Sequence, residues 1–139
     1  MKDYQPAADL LQNRVILVTG AGAGIGRAVA RRLAAHGATV ILLGRTIRKL
    51  EQIYDEIEQA GAPKPAIYPM NLEGAIPKDY ADLARVLESE FGRLDGLLHN
   101  AALFEGLTPL ANYDIELWYR ILQVNLNAPF LLTRALLGL

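Results

Sequence analysis

The stretch ILVTGAGAGIGRAVARRLAAHG, residues Ile16–Gly37, contains the change of pattern that decides the fold. With Val15 it opens as an apolar, mostly β-branched run, which is typical of a strand buried on both faces. Four glycines at alternate positions follow Thr19, and an amphipathic pattern then begins, with Ile25 and Leu33 on one helical face. The sequence therefore predicts a buried strand, a tight turn and a helix, in that order.

The rest of the chain repeats this alternation of strand and helix. Further strands are predicted at Thr39–Leu43, Ala66–Met70 and Leu94–His99. Further helices are predicted from Ile47 to a stop at Gly61, at Asp79–Phe91 with Val86 facing inward, and from Asp114 to about Leu139 with an interruption near Pro129. Strands that alternate with helices predict an α/β fold, a doubly wound parallel sheet with helices on both faces. We expect the fourth strand to form an open edge.

Length and composition restrict the classes of function. The 139 residues suffice for one domain, 52% of them are hydrophobic, and the net charge of −1 comes from interspersed acidic and basic residues. This predicts no nucleic-acid partner, because no basic stripe is present. The absence of cysteine excludes a thiolate metal site or nucleophile, and with two distant histidines no metal is predicted. No segment has the length of a signal peptide core or a membrane span, so we expect a cytoplasmic protein with no membrane partner.

The glycines between the first strand and helix suit an anion. The first turn of a helix has unpaired N–H groups and a partial positive charge, which stabilise an anion that approaches the backbone closely. Glycine permits this approach because it has no side chain, and it also tolerates the positive φ of a tight turn. The segment from Gly20 to Gly26 is therefore interpreted as a cradle for a pyrophosphate. A turn of the same composition that binds no ligand is the alternative.

The spacing Thr19-Gly20-x-x-x-Gly24-Ile25-Gly26, with Gly22 in addition, resembles the T-G-x-x-x-G-x-G signature of the short-chain dehydrogenase/reductase family. The resemblance implies a Rossmann-type α/β fold and a dinucleotide cofactor. The residues that it assigns to cofactor binding in this turn are Gly20, Gly22, Gly24, Ile25 and Gly26. We accordingly expect residues 1–139 to be a single dinucleotide-binding domain, about the first half of the family's full fold.

The end of the second strand indicates which cofactor is preferred. In such folds an acidic residue at this place usually binds the adenosine ribose hydroxyls. Here the sequence is Leu43-Gly44-Arg45-Thr46, without a carboxylate. A guanidinium pairs with a 2′-phosphate that a carboxylate would repel, and the pair Gly-Arg is similar to the NADP-preferring branch of the family. We therefore predict NADP(H) in preference to NAD(H). A solvated surface arginine is the alternative.

Two sites after later strands match the family in part. After the third strand, Asn71 and Leu72 stand where the family has an aspartate and an apolar residue near the adenine. A turn-forming asparagine at the strand end is the alternative there. After the fourth strand, His99-Asn100-Ala101-Ala102 replaces the family's N-N-A-G. By resemblance Asn100, Ala101 and Ala102 contact the cofactor.

His99 and Asn125 are the candidates for a role in chemistry. Histidine titrates near neutral pH, but His99 at a strand end is interpreted as hydrogen-bonded to a neighbouring element rather than as an acid/base. Asn125 matches an asparagine in the family's long helix. In relatives this asparagine bends the helix and anchors a water chain to the active-site lysine. The resemblance therefore assigns Asn125 to the catalytic set, although Asn127 and Pro129 could also bend the helix.

The family's Tyr-x-x-x-Lys motif is absent, because no tyrosine of the sequence is followed four positions later by lysine. The family transfers hydride between nicotinamide and a carbonyl or alcohol substrate, so the resemblance implies an oxidoreductase of which this chain is the cofactor-binding half, inactive by itself. A catalytically inactive dinucleotide-binding or interaction module is the alternative. A methyltransferase is disfavoured by the missing acid after the second strand. The resemblance further implies a homo-oligomer.

Overall fold

The computed structural model describes residues 4–139 and contains one four-stranded sheet in which all paired strands are parallel. The strands are β1 (Val15–Thr19), β2 (Thr39–Gly44), β3 (Ala66–Pro69) and β4 (Gly96–Leu98). The helices are α1 (Gly24–Ala35), α2 (Ile47–Gln59), α3 (Pro77–Phe91), α4 (Ile115–Leu122) and α5 (Ala128–Leu136). A 3₁₀ turn occupies Leu110–Asn112, and a π turn occupies Gln123–Asn127. Within the described residues, every helix is too short or too polar to cross a bilayer.

The strand order is β3-β2-β1-β4, which confirms the predicted doubly wound sheet and puts β4 at an edge. From β1 the chain adds β2 and then β3 on one side, and it returns past them to add β4 on the other side. The order therefore reverses between β1 and β4. In open parallel sheets the crevice at such a reversal, outside the carboxyl ends of the strands, is where ligands bind.

Two apolar layers cover the two faces of the sheet. On one face Val18 and Val40 pack with α1 and α2, and on the other face Leu17 and Ile41 pack with α3 and α5. These four side chains are at most 1% exposed, as expected for strands whose sequences are continuous apolar runs. Because the two faces are covered by different helices, the carboxyl ends of the strands are left accessible.

The buried face of α1 differs from the prediction. Ile25 is 75% exposed, and the residues of this helix that are buried are Gly26, Ala30 and Ala34. Small residues at a spacing of four allow the helix axis to lie close to the sheet, so the face is selected for size rather than for hydrophobicity. The inward placement of Val86 in α3 was also wrong: Val86 is 43% exposed, and the buried face of that helix consists of Tyr80, Leu83 and Leu87.

The last helix is interrupted earlier than the sequence pattern predicts. The π turn centres on Asn125, and the N–H of Ala128 donates to the carbonyl of Gln123, five residues back. Pro129 lies in the first turn of α5, where its missing N–H is tolerated. The proline therefore begins a new helical segment, and the distortion lies at the asparagine.

Candidate cofactor-binding site

A cavity of about 370 Å³ lies at the carboxyl ends of the four strands. The predicted cofactor-binding residues that line it are Gly20, Gly22, Arg45, Asn71, Leu72, Asn100, Ala101 and Ala102. Gly24, Ile25, Gly26 and Asn125 are not part of the lining. The volume is within the range of about 300–1,000 Å³ that is usual for small-molecule sites. The fold thus brings together residues from four separate strand ends, and it leaves the start of α1 and the π turn beside the cavity.

The turn between β1 and α1 exposes its backbone to this cavity. Gly20 and Gly24 have φ values of 64° and 52°, which other residues rarely adopt. The residue before α1, Ala23, provides no side-chain cap, and the first turn of the helix contains no acidic residue. The N–H groups at the start of α1 therefore lack side-chain acceptors from the described chain, as a site for a phosphate group requires.

The buried hydroxyl of Thr19 fixes the geometry of the turn between β1 and α1. It is 1% exposed, and its hydroxyl donates to the carbonyl of Leu98 at 3.2 Å. The same oxygen accepts the backbone N–H groups of Asn100 and Ala101, each at 3.0 Å. One donor and two acceptor positions are all that a hydroxyl offers, so Thr19 is fully satisfied. It ties the end of β1 to the segment after β4, two walls of the same cavity.

Asn100 links the same two walls through its side chain. Its amide nitrogen donates to the carbonyls of Thr19 and Gly20, at 3.0 and 3.2 Å. A β-carbon at position 26 would lie 2.5 Å from this amide nitrogen and would also overlap the Gly20 carbonyl. Gly26 is therefore required because helix, turn and amide meet here without space for a methyl group. Asn100 supports the cavity wall with the nitrogen of its side chain.

The end of β2 supplies the basic side of the cavity. Arg45 and Lys49 both line it, and neither forms an ion pair within residues 4–139. Glu73, from the segment after β3, is the one acidic lining residue, and its carboxylate accepts the Nε–H of Arg120 at 2.7 Å. This hydrogen bond, with the charges of Arg120 and Arg45, holds the pKa of Glu73 below its ordinary value.

Asn71 makes a local turn as well as lining the cavity. Its side-chain oxygen accepts the backbone N–H of Glu73 at 3.2 Å, which is the turn-forming role that asparagine often has at strand ends. Leu72 is 7% exposed and belongs to the apolar cluster of the α3 face. The two residues thus combine a structural function with a position at the wall of the site.

Asn125 and His99 each connect two elements. The amide of Asn125 accepts the N–H of Leu103 at 2.8 Å and donates to the carbonyl of Leu103 at 2.9 Å, as a paired strand would do. His99 Nε2 lies 2.9 Å from the hydroxyl of Thr133 on α5, and partial burial lowers the pKa of the imidazole. The expected hydrogen bond of His99 to a neighbouring element is therefore present.

The sequence analysis missed several residues that shape the site. Thr19 is the first residue of the motif, but no function was predicted for its side chain, although its place directly before Gly20 could have indicated one. Lys49 was not predicted as a site residue, because lysine is common on helix surfaces and does not by itself indicate a binding site. The pair of Glu73 and Arg120 joins positions 47 residues apart, and no local pattern predicts it.

The parallel sheet, the reversal of its strand order and the glycine turn at that reversal define a Rossmann-type α/β fold. The family model described as short chain dehydrogenase matches residues 14–139. The chain belongs to this family of oxidoreductases. The uncharacterized oxidoreductase YciK of Escherichia coli (strain K12) is 43% identical over 136 residues, which are 98% of this chain and 54% of that protein. The chain thus spans about half the length of the curated relatives that it matches.

Solved structures agree with this assignment. A candidate short chain dehydrogenase from Pseudomonas syringae superposes with a TM-score of 0.96 at 53% identity, over 100% of this chain and 57% of that chain. A candidate short chain dehydrogenase from Escherichia coli CFT073, complexed with NADPH, gives a TM-score of 0.93 at 44% identity, over 96% of this chain and 56% of that chain.

Proposed function

We propose that this chain is the cofactor-binding part of an NADP(H)-dependent oxidoreductase that acts on a carbonyl or alcohol group of a small molecule. The bound nicotinamide would supply or accept the hydride. Residues 1–139 act here as one dinucleotide-binding domain, and the site consists of the glycine turn, the two segments after β3 and β4, and Arg45. The NADPH complex of the Escherichia coli CFT073 relative supports this choice of cofactor.

The observation that carries the proposal is the position of Arg45. It lines the cavity at the end of β2, where an acid would select NAD(H), and it has no ion-pair partner among the described residues. An arginine without a carboxylate is available to a 2′-phosphate, with which it can form two parallel hydrogen bonds. The uncapped start of α1 favours the pyrophosphate, because its N–H groups have no side-chain cap and are available to an anion. Through these backbone groups Gly24, Ile25 and Gly26 contribute without lining the cavity.

Asn125 is proposed to serve the chemical step by fixing the segment after β4. Its amide holds Leu103, and Leu103 lines the cavity next to the proposed cofactor contacts Ala101 and Ala102. The water chain that the resemblance implies for this asparagine is part of the same proposal.

The test is a titration of the protein with NADPH and with NADH, followed by cofactor fluorescence or calorimetry. Replacing Arg45→Ala removes a charge-assisted hydrogen bond, so NADPH binding should weaken by about 1.5–3 kcal/mol, while NADH binding should barely change. Arg48→Ala is the matched control, because Arg48 is an exposed neighbour that does not line the cavity. If both cofactors lose affinity equally in Arg45→Ala, Arg45 does not bind the phosphate.

Other expectations stay predictions: the inactivity of these 139 residues by themselves, the cytoplasmic location and the homo-oligomer.

A further inference from the structure

Glu73 is a carboxylate in the wall of a cavity that is proposed to bind a polyanion. It lines the same cavity as Arg45, and its side chain is 27% exposed. A free carboxylate in this position would act against the phosphate in two ways. It would repel the anion, and it would compete with the anion for Arg45, whose charge already lowers the pKa of Glu73 across the shared cavity.

Arg120 on α4 forms an ion pair with this carboxylate. Its Nε–H donates to Glu73 Oε1 at 2.7 Å, and its Nη2 lies 3.4 Å from Glu105 Oε1. Arg120 does not line the cavity, and the residue of the cavity wall that it contacts is Glu73. The guanidinium thus bridges the segment after β3 and the segment after β4, and it neutralises the one acidic residue of the cavity wall.

We propose that Arg120 is a positioning residue for cofactor selectivity, which holds the Glu73 carboxylate and thereby leaves Arg45 available to the 2′-phosphate of NADP(H). This inference rests on the proposed function, because it presupposes that Arg45 contacts that phosphate. It adds that the preference depends on a residue outside the cavity, and that Glu73 without Arg120 disfavours NADP(H).

The experiment is a double-mutant cycle, in which dissociation constants for NADPH and NADH are measured for the wild type, Arg120→Gln, Glu73→Gln and the double variant. Arg120→Gln should weaken NADPH binding about three- to tenfold and should leave NADH binding within about twofold, because NADH lacks the phosphate. The double variant Arg120→Gln/Glu73→Gln should recover the wild-type NADPH affinity, since the released carboxylate is then gone. The loss in Arg120→Gln should shrink in 0.5 M salt, at roughly half the Debye length of 0.1 M salt.

Arg134→Gln is the matched control, since it removes one positive charge from an exposed position of α5 that does not line the cavity. Equal loss of both cofactors in Arg120→Gln, a similar NADPH loss in Arg134→Gln, or no recovery in the double variant would each overturn the inference. The variant Arg45→Ala reports separately on the proposed function. If it loses NADPH affinity while Arg120→Gln does not, the proposed function stands and this inference fails. If it binds NADPH as wild type does, both fail.

Discussion

Replacement of Thr19 by valine tests whether the site depends on one buried hydroxyl. Valine has nearly the same shape as threonine, so Thr19→Val keeps the packing and removes the hydroxyl oxygen. The oxygen serves three partners, and they are affected differently. The backbone N–H of Asn100 also donates to the carbonyl of Leu98 at 3.2 Å, so these two groups stay hydrogen-bonded to each other when the hydroxyl is removed. Ala101 N–H has no other acceptor among the described hydrogen bonds, and it would be left unpaired.

The magnitude follows from this count. An orphaned N–H costs about 1–3 kcal/mol, and each further lost hydrogen bond costs about 0.5–1.5 kcal/mol. The methyl group that replaces the oxygen returns part of this by burial. The expected net loss for Thr19→Val is about 2–3 kcal/mol of unfolding free energy. For a chain of this length about 3–5 °C of melting temperature correspond to 1 kcal/mol, so the midpoint should fall by about 6–15 °C.

Thr19→Ser is the matched control, because serine keeps the oxygen and loses one methyl group, at a cost of about 1 kcal/mol. Both variants and the wild type are compared by thermal and urea unfolding, followed by circular dichroism. Thr19→Val should lower the free energy of unfolding more than Thr19→Ser does. It should also weaken NADPH binding more, because Ala101 lines the cavity. If Thr19→Ser destabilises the protein more than Thr19→Val does, packing of the methyl group is more important here than the hydroxyl, and the argument from hydrogen bonds is refuted.

Two further predictions concern the packing of α1 and the edge strand. Gly26→Ala should destabilise the protein by about 2–3 kcal/mol in urea unfolding, because its methyl group would overlap the Gly20 carbonyl. Gly74→Ala, where a methyl group meets nothing within 4 Å, should stay within about 0.5 kcal/mol of wild type, and equal losses would contradict the overlap. Hydrogen bonds from Arg93, Val15 N–H and Arg14 hold the pKa of Asp95 well below its ordinary value of 3.8. The stability that Asp95 contributes is therefore present above that value and is lost as the pH falls below it. Asp95→Asn should consequently be less stable than wild type at pH 7, and this difference should shrink as the pH falls from about 4 towards 2, whereas a constant difference from pH 7 to pH 2 would exclude the ionised form as the cause.

The fold was predictable from the sequence where burial leaves a periodic signal. The cores of β1 and β2 were predicted within one residue, because strands buried on both faces are continuous apolar runs. β4 is shorter than predicted, Gly96–Leu98 instead of Leu94–His99, because the N–H of Leu94 donates to the carbonyl of Leu139 and the side chain of His99 contacts Thr133, both outside the sheet. The face of α1 was missed because it is built from glycine and alanine, whose burial carries little hydrophobic signal.

The candidate site was predictable to a smaller extent. The glycine turn has a spacing that few other structures require, and the resemblance extended the prediction to Asn71, Asn100 and Asn125. The resemblance gives residues but not atoms. It did not indicate that the side chain of Asn100 is directed at the carbonyls of β1, or that the amide of Asn125 pairs with Leu103. Long-range ion pairs such as Arg120 with Glu73 depend on how α4 lies against the sheet, which no window of sequence contains.

The glycine turn was predictable and the ion pair of Arg120 with Glu73 was not, because these two parts of the site are held in different ways. The glycine turn and the segment after β4 are 80 residues apart in the sequence, yet they form one unit. The side-chain amide of Asn100 donates to the carbonyl of Gly20, and Gly26, which has no side chain, leaves room for this contact. A change at either end disturbs the other, so the fold restricts these positions and their motif is recognisable. Arg45, Glu73 and Arg120 are partly exposed and hold no strand in place. Because no strand depends on these three side chains, we expect exchanges at their positions to change the binding of the cofactor without unfolding the sheet.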